Sequence, residues 1–320
     1  MSKSRYREEH TIAFYNIENL FDTEDDEFTN DDDFLPHSAK KWTEKRYANK
    51  LRKIASVIST IGDEDQQEAP TLVGLAEVEN QTVLLDLLEH TELESMFYDF
   101  VHFDSSDERG IDVALLYDVR FFRVISSEPL TVHLLSEEGE MDYTRDILYV
   151  HGVLEDLPIH LFVNHWSSRR EGPEETEFKR LAAAERLIDK LKEINSADPK
   201  ANIVVMGDFN DNPDDLSVIT LEKEGLLFNP FKIIWSPHEK GSLSHDFEWN
   251  LYDQILFSYS VLNSQESKLE FTNADIFDER FITRFRGRFK GQPFRTYVGK
   301  RYLGGYSDHF PVYVKFRLLR

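Results

Sequence analysis

Groups able to bind a metal or a phosphate stand at the downstream ends of four separated apolar, strand-like runs, and a fifth pair directly precedes the last run. The four are Ala13-Phe14-Tyr15-Asn16, followed by Glu18 and Asn19, Leu72-Val73-Gly74-Leu75-Ala76-Glu77, His160-Leu161-Phe162-Val163-Asn164-His165, and Ile203-Val204-Val205-Met206-Gly207-Asp208, followed by Asn210. The fifth is Asp308-His309, between Gly304-Gly305 and Pro311. One such segment is weak evidence. Five, far apart in sequence, call for several strands that deliver their ends to one rim.

Apolar runs predict strands over 11–15, 71–76, 113–117, 122–125, 147–153, 159–163, 203–206, 254–257 and 311–316. Between 43 and 61, Tyr47, Leu51, Ile54 and Ile58 recur at helical spacing, with Lys45, Arg46, Lys50 and Arg52 assigned to the wet face. Residues 82–89 predict a short helix. Residues 174–194 predict a long one, whose apolar face holds Phe178, Leu181, Ala184, Leu187, Ile188 and Leu191. The chain shows no repeat and no Pro/Gly/Ser-rich linker, so the expectation is one domain over 1–320, with its core at about 11–316 and an acidic loop at about 22–36.

A hydrophobic content of 40% in 320 residues supplies a sizeable core. The absence of cysteine excludes disulfides, a thiolate nucleophile and zinc–cysteine sites. The first ten residues are charged and run straight into Thr11, which favours the cytoplasm provided that this N-terminus is native. No apolar run approaches about eighteen residues, so no integral membrane association is expected.

Sixty acidic against 37 basic side chains give a net charge of -23, which opposes nonspecific binding of polyanions. The charge is uneven. Eight of the twelve residues from Asp22 to Asp33 are acidic, whereas Arg280–Arg301 carries eight basic residues and no acid. Phe281, Phe285, Phe289, Phe294, Tyr297 and Tyr302 are interspersed there and fit either base stacking or ordinary core packing.

Glu77 at a strand exit suits Mg²⁺, with Mn²⁺ as a substitute, and Asn16 is a direct or outer contributor; Glu79 is a rival, and a bland strand terminus is the alternative. Asp208 and Asn210, one residue apart, can work jointly on a water and a phosphate, or form a capped turn. His309 beside Asp308 can bind a phosphoryl oxygen or act as a base, and Asp253 can orient an imidazole or start a strand. His165 fits phosphate contact or leaving-group protonation, Asn164 positioning, and Trp166 packing. Arg109 can clamp a phosphate or pair with a surface acid.

Taken in order, Phe14-Tyr15-Asn16-Ile17-Glu18-Asn19, Ala76-Glu77-Val78-Glu79-Asn80, Arg109-Gly110-Ile111-Asp112, Asn164-His165-Trp166, Gly207-Asp208-Phe209-Asn210, Tyr252-Asp253 and Ser307-Asp308-His309 resemble the endonuclease/exonuclease/phosphatase superfamily of metal-dependent phosphoesterases. The resemblance implies a DNase I-like α/β fold: a four-layer α/β-β/α sandwich of two mostly antiparallel sheets with flanking helices and the site at one rim. It also implies metal binding by Glu77, Asn16 and Asp308, catalysis by His165, Asp208, Asn210, Asp253 and His309, and phosphate contacts from Arg109, Asn164, His165 and His309. Ala76 stands where the family usually has Gln, which touches positioning rather than a ligand.

The expected function is divalent-metal-dependent phosphodiester hydrolysis by in-line water attack, with a nuclease ahead of a small-molecule or lipid-headgroup phosphodiesterase or phosphatase. A non-catalytic phosphate-binding module on the same scaffold is the further alternative. The expected partner is a phosphate ester, DNA or RNA included, with no protein partner inferable and a monomeric chain.

Overall fold

A computed structural model describes residues 7–27, 29–62, 68–135, 141–142, 144–262 and 267–319. The charged residues 1–6 and Phe28 of the acidic loop lie outside them. The chain begins one sheet, builds a second, and returns to finish the first. Strands β1 (Glu9–Leu20), β2 (Leu72–Val78), β3 (Tyr98–His102) and β4 (Asp112–Asp118) start the first sheet. The second consists of β5 (Phe122–Leu130), β6 (Ile147–Leu154), β7 (Leu157–His165), β8 (Ile203–Asp208), β9 (Leu227–Phe228) and β10 (Asp253–Ser258). Strands β11 (Leu269–Ile276) and β12 (Val312–Leu318) then add to the first.

The orders are β11-β12-β1-β2-β4-β3 and β9-β10-β8-β7-β6-β5. Every pairing is antiparallel except one in each sheet, β1 with β2 and β7 with β8. A parallel pair needs a long crossover, and helices α1 (Glu44–Ile58) and α3 (Glu177–Ala197) supply them, joined by α2 (Gln81–Leu88), α4 (Leu216–Gly225) and the single turn α5 (Phe231–Ile234). The architecture is the expected α/β sandwich of two large sheets flanked by helices.

Alternation along the central strands builds the layers. Val204 and Met206 of β8 point into the core between the sheets, whereas Ile203 and Val205 point outward to pack with Ala184, Leu187 and Leu191 of α3. Burial on both faces explains why these strands read as continuous apolar runs. The sheets approach closely at Gly74, where an added Cβ would lie 2.6 Å from Met206 Sδ and 3.1 Å from Phe14.

Two helical faces differ from the sequence expectation. Phe178 is 52% exposed, and the buried face of α3 instead runs through Arg180, Ala183, Ala184, Leu187, Ile188, Leu191 and Ile194. Arg180 is drawn inside because its Nε lies 2.8 Å from Asp211 Oδ1 in the loop after β8. Lys50 of α1, assigned to the wet face, is 1% exposed. Its Nζ donates to Thr296 Oγ1 (2.7 Å) and the Tyr306 carbonyl (2.6 Å), partners that no helical periodicity reveals.

Candidate active site

Both parallel pairs end at the same rim. At the exit of β1 the ladder with β2 shifts register between Asn16 and Leu20, and at the exit of β2 the ladder with β4 shifts between Ala76 and Val78. The residues in these irregularities, Glu18 (φ 51°), Asn19 (φ 53°) and Glu77 (φ 67°), occupy the left-handed region, as does Asn210 (φ 50°) after β8. Such backbone costs of order 1 kcal/mol or more for a non-glycine residue, and here it turns polar side chains across the strand ends. The turned chain is held by its own side chains: Asn16 Oδ1 accepts from the Glu18 N–H (3.0 Å), and Glu77 Oε2 accepts from the Asn19 N–H (2.8 Å).

The second sheet brings three site groups into register. Asp208 pairs with His165 across the parallel ladder and with Asp253 across the antiparallel one. Its Oδ1 accepts from the Asn210 N–H (2.9 Å) and its Oδ2 from Asn16 Nδ2 (3.0 Å), which joins the two sheets at the rim. The same Oδ2 lies 3.8 Å from His165 Nε2 and 4.0 Å from His309 Nε2. His309 arrives on the turn before β12, where Ser307 Oγ accepts its N–H (3.1 Å) and donates to the Asn16 carbonyl (2.7 Å). His309 Nδ1 lies 2.7 Å from Oδ2 of the fully buried Asp253.

The remaining expected residues fall around this centre. Asn164 is fully buried; its amide donates to the Met206 carbonyl (3.0 Å) and its oxygen accepts from Trp166 Nε1 (3.2 Å), while Trp166 packs edge-on against Phe209. Asn210 Nδ2 donates to the Trp166 carbonyl (2.9 Å). Arg109 Nη2 reaches Asn19 Oδ1 (3.3 Å) and lies 3.7 Å from Glu77 Oε1. Asp308 Oδ2 accepts from Arg295 Nη2 (2.7 Å). Glu79, the rival to Glu77, accepts from the Asp22 N–H and so fastens the start of the acidic loop.

Burial and neighbouring charge drive the two imidazoles apart. Burial opposes the charged form of His309, but the carboxylates of Asp253, Asp208 and Asp308 outweigh it and hold the ring well above the usual imidazole range. Burial, reinforced by Arg145, Arg109 and His309, holds His165 well below it. Burial followed by the charge of Asp253 pushes Asp208 up to about 7. A neutral imidazole and an imidazolium, both within 4.0 Å of one oxygen of a carboxylate tuned near neutrality, form a set suited to proton transfer and charge stabilisation.

Behind the rim, Glu18 is tied to a layer that the sequence motifs did not single out. Glu18 accepts from the Thr296 N–H (2.6 Å) and the Tyr297 N–H (3.3 Å), and burial, then Asp308, pushes it up to about 7. Lys50 faces the same segment, and burial pulls it down to about 8. Two small clefts open beside the centre. One, of about 200 Å³, is lined by Glu18, Asn19, Arg295 and Asp308, and the other, of about 230 Å³, by Arg109, Arg145, Ser167 and Ser168; Arg170 lines both.

Two clusters of described residues could hold a divalent metal, Asp208 with Asp253 and His309, and His102 with Asp104 and Asp112. The wider rim also fits such an ion. Glu77 Oε1 accepts no hydrogen bond among the described residues, while Oε2 is fixed by Asn19, and the oxygen donors without thiolates suit a hard cation.

Comparison with known proteins gives the same direction. The Endonuclease/Exonuclease/phosphatase family profile matches residues 11–318. No curated protein sequence matches the chain. Among solved structures, an endonuclease/exonuclease/phosphatase family protein from Bacteroides thetaiotaomicron is 16% identical, with a TM-score of 0.59 over 98% of this chain and 99% of that one. A mannosyl-6-phosphatase from the same organism is 17% identical, with a TM-score of 0.60 over 96% and 99%. D. rerio TDP2 complexed with single strand DNA product is 14% identical, with a TM-score of 0.59 over 97% and 99%. At these identities the likeness concerns the fold.

Proposed function

Because the chain belongs to the endonuclease/exonuclease/phosphatase family, we propose that it hydrolyses phosphodiesters with a divalent cation, by in-line attack of a water oriented at Asp208. Family membership and the two clusters support metal-dependent phosphoesterase chemistry in general. The observation that carries the finer reading is the convergence on Asp208 Oδ2, 3.0 Å from Asn16 Nδ2, 3.8 Å from His165 Nε2 and 4.0 Å from His309 Nε2.

Asp208, raised toward neutrality, accepts the proton of the attacking water. His309, kept charged by Asp253, donates to a non-bridging phosphoryl oxygen and stabilises the charge that grows there. His165, kept neutral, contacts the phosphate from the other side of Asp208 and holds the leaving oxygen, which departs taking a proton from solvent water. Asn210 assists at the phosphate, Asn164 acts by fixing the strand exit, and Arg109 clamps a second phosphate oxygen. Mg²⁺ or Mn²⁺ held by Glu77, Asn16 and Asp308 would supply Lewis-acid charge at the phosphoryl group.

A polymeric substrate is favoured by the surface that precedes Arg295. A cleft of about 570 Å³ is lined by Arg280, Arg284, Phe285, Arg286 and Phe294. Beside it the Phe247 and Phe289 rings stack, with the Arg288 guanidinium 4.7 Å from the Phe289 ring centre, and Phe285 is 53% exposed. By contrast Tyr297 is buried in the core. Exposed aromatic faces interleaved with arginines suit the bases and phosphates of a single strand. The small size of the two rim clefts favours, as a second reading, a headgroup-sized diester.

The test is Mg²⁺- and Mn²⁺-dependent product formation on plasmid DNA, short RNA, bis-aryl phosphate and aryl monophosphate, with Asp208→Asn as the contamination control. Mutant-sensitive cleavage of DNA or RNA supports the nuclease, and diester turnover without polymer cleavage supports the second reading. Phosphate binding without turnover on any substrate leaves a binding module and rejects the proposal.

A further inference from the structure

One strand away from the rim, His102 at the end of β3 is buried, with a side chain 0% exposed, and both of its ring nitrogens lack a hydrogen-bond partner. An imidazole deprived of water normally satisfies at least one nitrogen, so the orphaned pair needs an explanation. Two carboxylates face it. Asp112 Oδ2 lies 3.4 Å from Nε2 and Asp104 Oδ1 lies 3.9 Å from Nδ1, and one ligand atom from each of the three residues falls within 4.8 Å of the others. Asp112 is itself held in place, since its Oδ1 accepts from the Ser105 N–H (3.0 Å), which leaves Oδ2 turned toward the ring.

We propose that His102, Asp104 and Asp112 form a second cation site, distinct from the hydrolytic centre and selective for a borderline divalent ion of the zinc class. The spacing supports it. Ligands at about 2.1 Å from a tetrahedral ion stand about 3.4 Å apart, the separation found between His102 Nε2 and Asp112 Oδ2. The donor set supports it as well, because an imidazole beside two carboxylates discriminates against calcium and magnesium, which favour all-oxygen shells.

The position gives the ion a structural task. His102 closes β3 and Asp112 opens β4, so the three ligands bracket the base of the loop that carries Arg109. Within that loop Ser105 Oγ accepts from the Asp107 N–H (3.3 Å) and Asp107 Oδ1 from the Arg109 N–H (3.0 Å), a chain of contacts that starts at Asp112. A cation joining its two ends fixes the reach of Arg109 toward Glu77 without touching the phosphate.

The experiment uses metal-stripped Glu77→Gln protein, so that the rim is weakened and no turnover is needed. Zn²⁺ is titrated by equilibrium dialysis, Co²⁺ serves as a spectroscopic probe, and hydrogen exchange follows amides 103–111. The proposal expects one retained high-affinity equivalent, Co²⁺ bands of an imidazole–carboxylate site, and greater protection of the loop on loading. Adding His102→Gln should abolish that equivalent. Adding Asp104→Asn, at an exposed position where folding is not at risk, should weaken it roughly tenfold or more. Binding that neither substitution changes, or the absence of any retained equivalent, overturns the proposal and leaves His102 as an imidazole clamped between two acids.

Discussion

Asp208 and Asp253 stand opposite each other in the ladder between β8 and β10, and His309 bonds to the second of them while facing the first. Two buried carboxylates in such proximity repel unless a cation lies between them, and the imidazolium meets that need. Asp253→Asn should therefore lower kcat about 10²- to 10⁴-fold with little change in KM, because His309 loses both its charge and its orientation. Steady-state kinetics on a bis-aryl phosphate read this directly. A wild-type kcat would remove His309 from the reaction.

Metal dependence has a similarly direct signature. EDTA should abolish turnover and Mg²⁺ or Mn²⁺ should restore it, and Glu77→Gln should raise the Mg²⁺ concentration for half-maximal rate about tenfold or more, since its free oxygen Oε1 is the one offered to the ion. Turnover that survives exhaustive chelation would contradict the mechanism.

Gly305 shows how the basic segment is tied to the rim. A Cβ there would fall 1.9 Å from the Phe294 carbonyl and 2.3 Å from that of Arg295, backbone that can yield only by moving Arg295 away from Asp308. Gly305→Ala should cost about 1–3 kcal/mol in urea denaturation and reduce activity beyond the stability loss. An unchanged midpoint would mean that the segment is not clamped.

Acid stability should depend on His10. Its ring is fully buried against Thr71, and burial, aided by Arg7, pulls it from 6.5 down to about 4. Between those values the unfolded chain binds a proton that the folded ring refuses, so stability falls as pH falls through this window, by on the order of 3 kcal/mol at its end. His10→Gln should flatten the slope of unfolding free energy between pH 6.5 and 4. An equally steep slope would place the acid sensitivity elsewhere.

The arginine-rich surface should separate polymer from small-ester chemistry. Replacing Arg284 and Arg288 by Ala should weaken single-strand binding and reduce its logarithmic salt slope by about one per arginine, while leaving bis-aryl phosphate turnover unchanged. Equal losses on both substrates would tie these residues to the centre instead.

What the sequence makes legible follows from burial. Strands such as Ile203–Asp208 are covered on both faces and read as unbroken apolar runs that end at site residues. Tyr98–His102, Leu227–Phe228 and Leu269–Ile276 carry no such mark because all three lie at sheet edges, where partial exposure erases the pattern. The rim groups were readable because most of them follow an apolar run and Asp308-His309 directly precedes one. The burial of Lys50 was not, because it is decided by Thr296 and Tyr306, about 250 positions away, and a charged residue in an amphipathic helix counts as wet until its partners are known.

The route by which the chain returns to its first sheet has a consequence for biosynthesis. Strand β1 is an interior strand whose second neighbour is β12, so as the polypeptide emerges from the ribosome one edge of an apolar strand stays unpaired until the last strand is added. Pairing across so long a separation is slow and leaves the nascent chain open to aggregation, so protection by a chaperone should matter for yield. The same delay separates the rim groups in time: Glu77 emerges early and Asp253 and His309 late, so the contact between His309 and Asp253 cannot form until nearly the whole chain has been made.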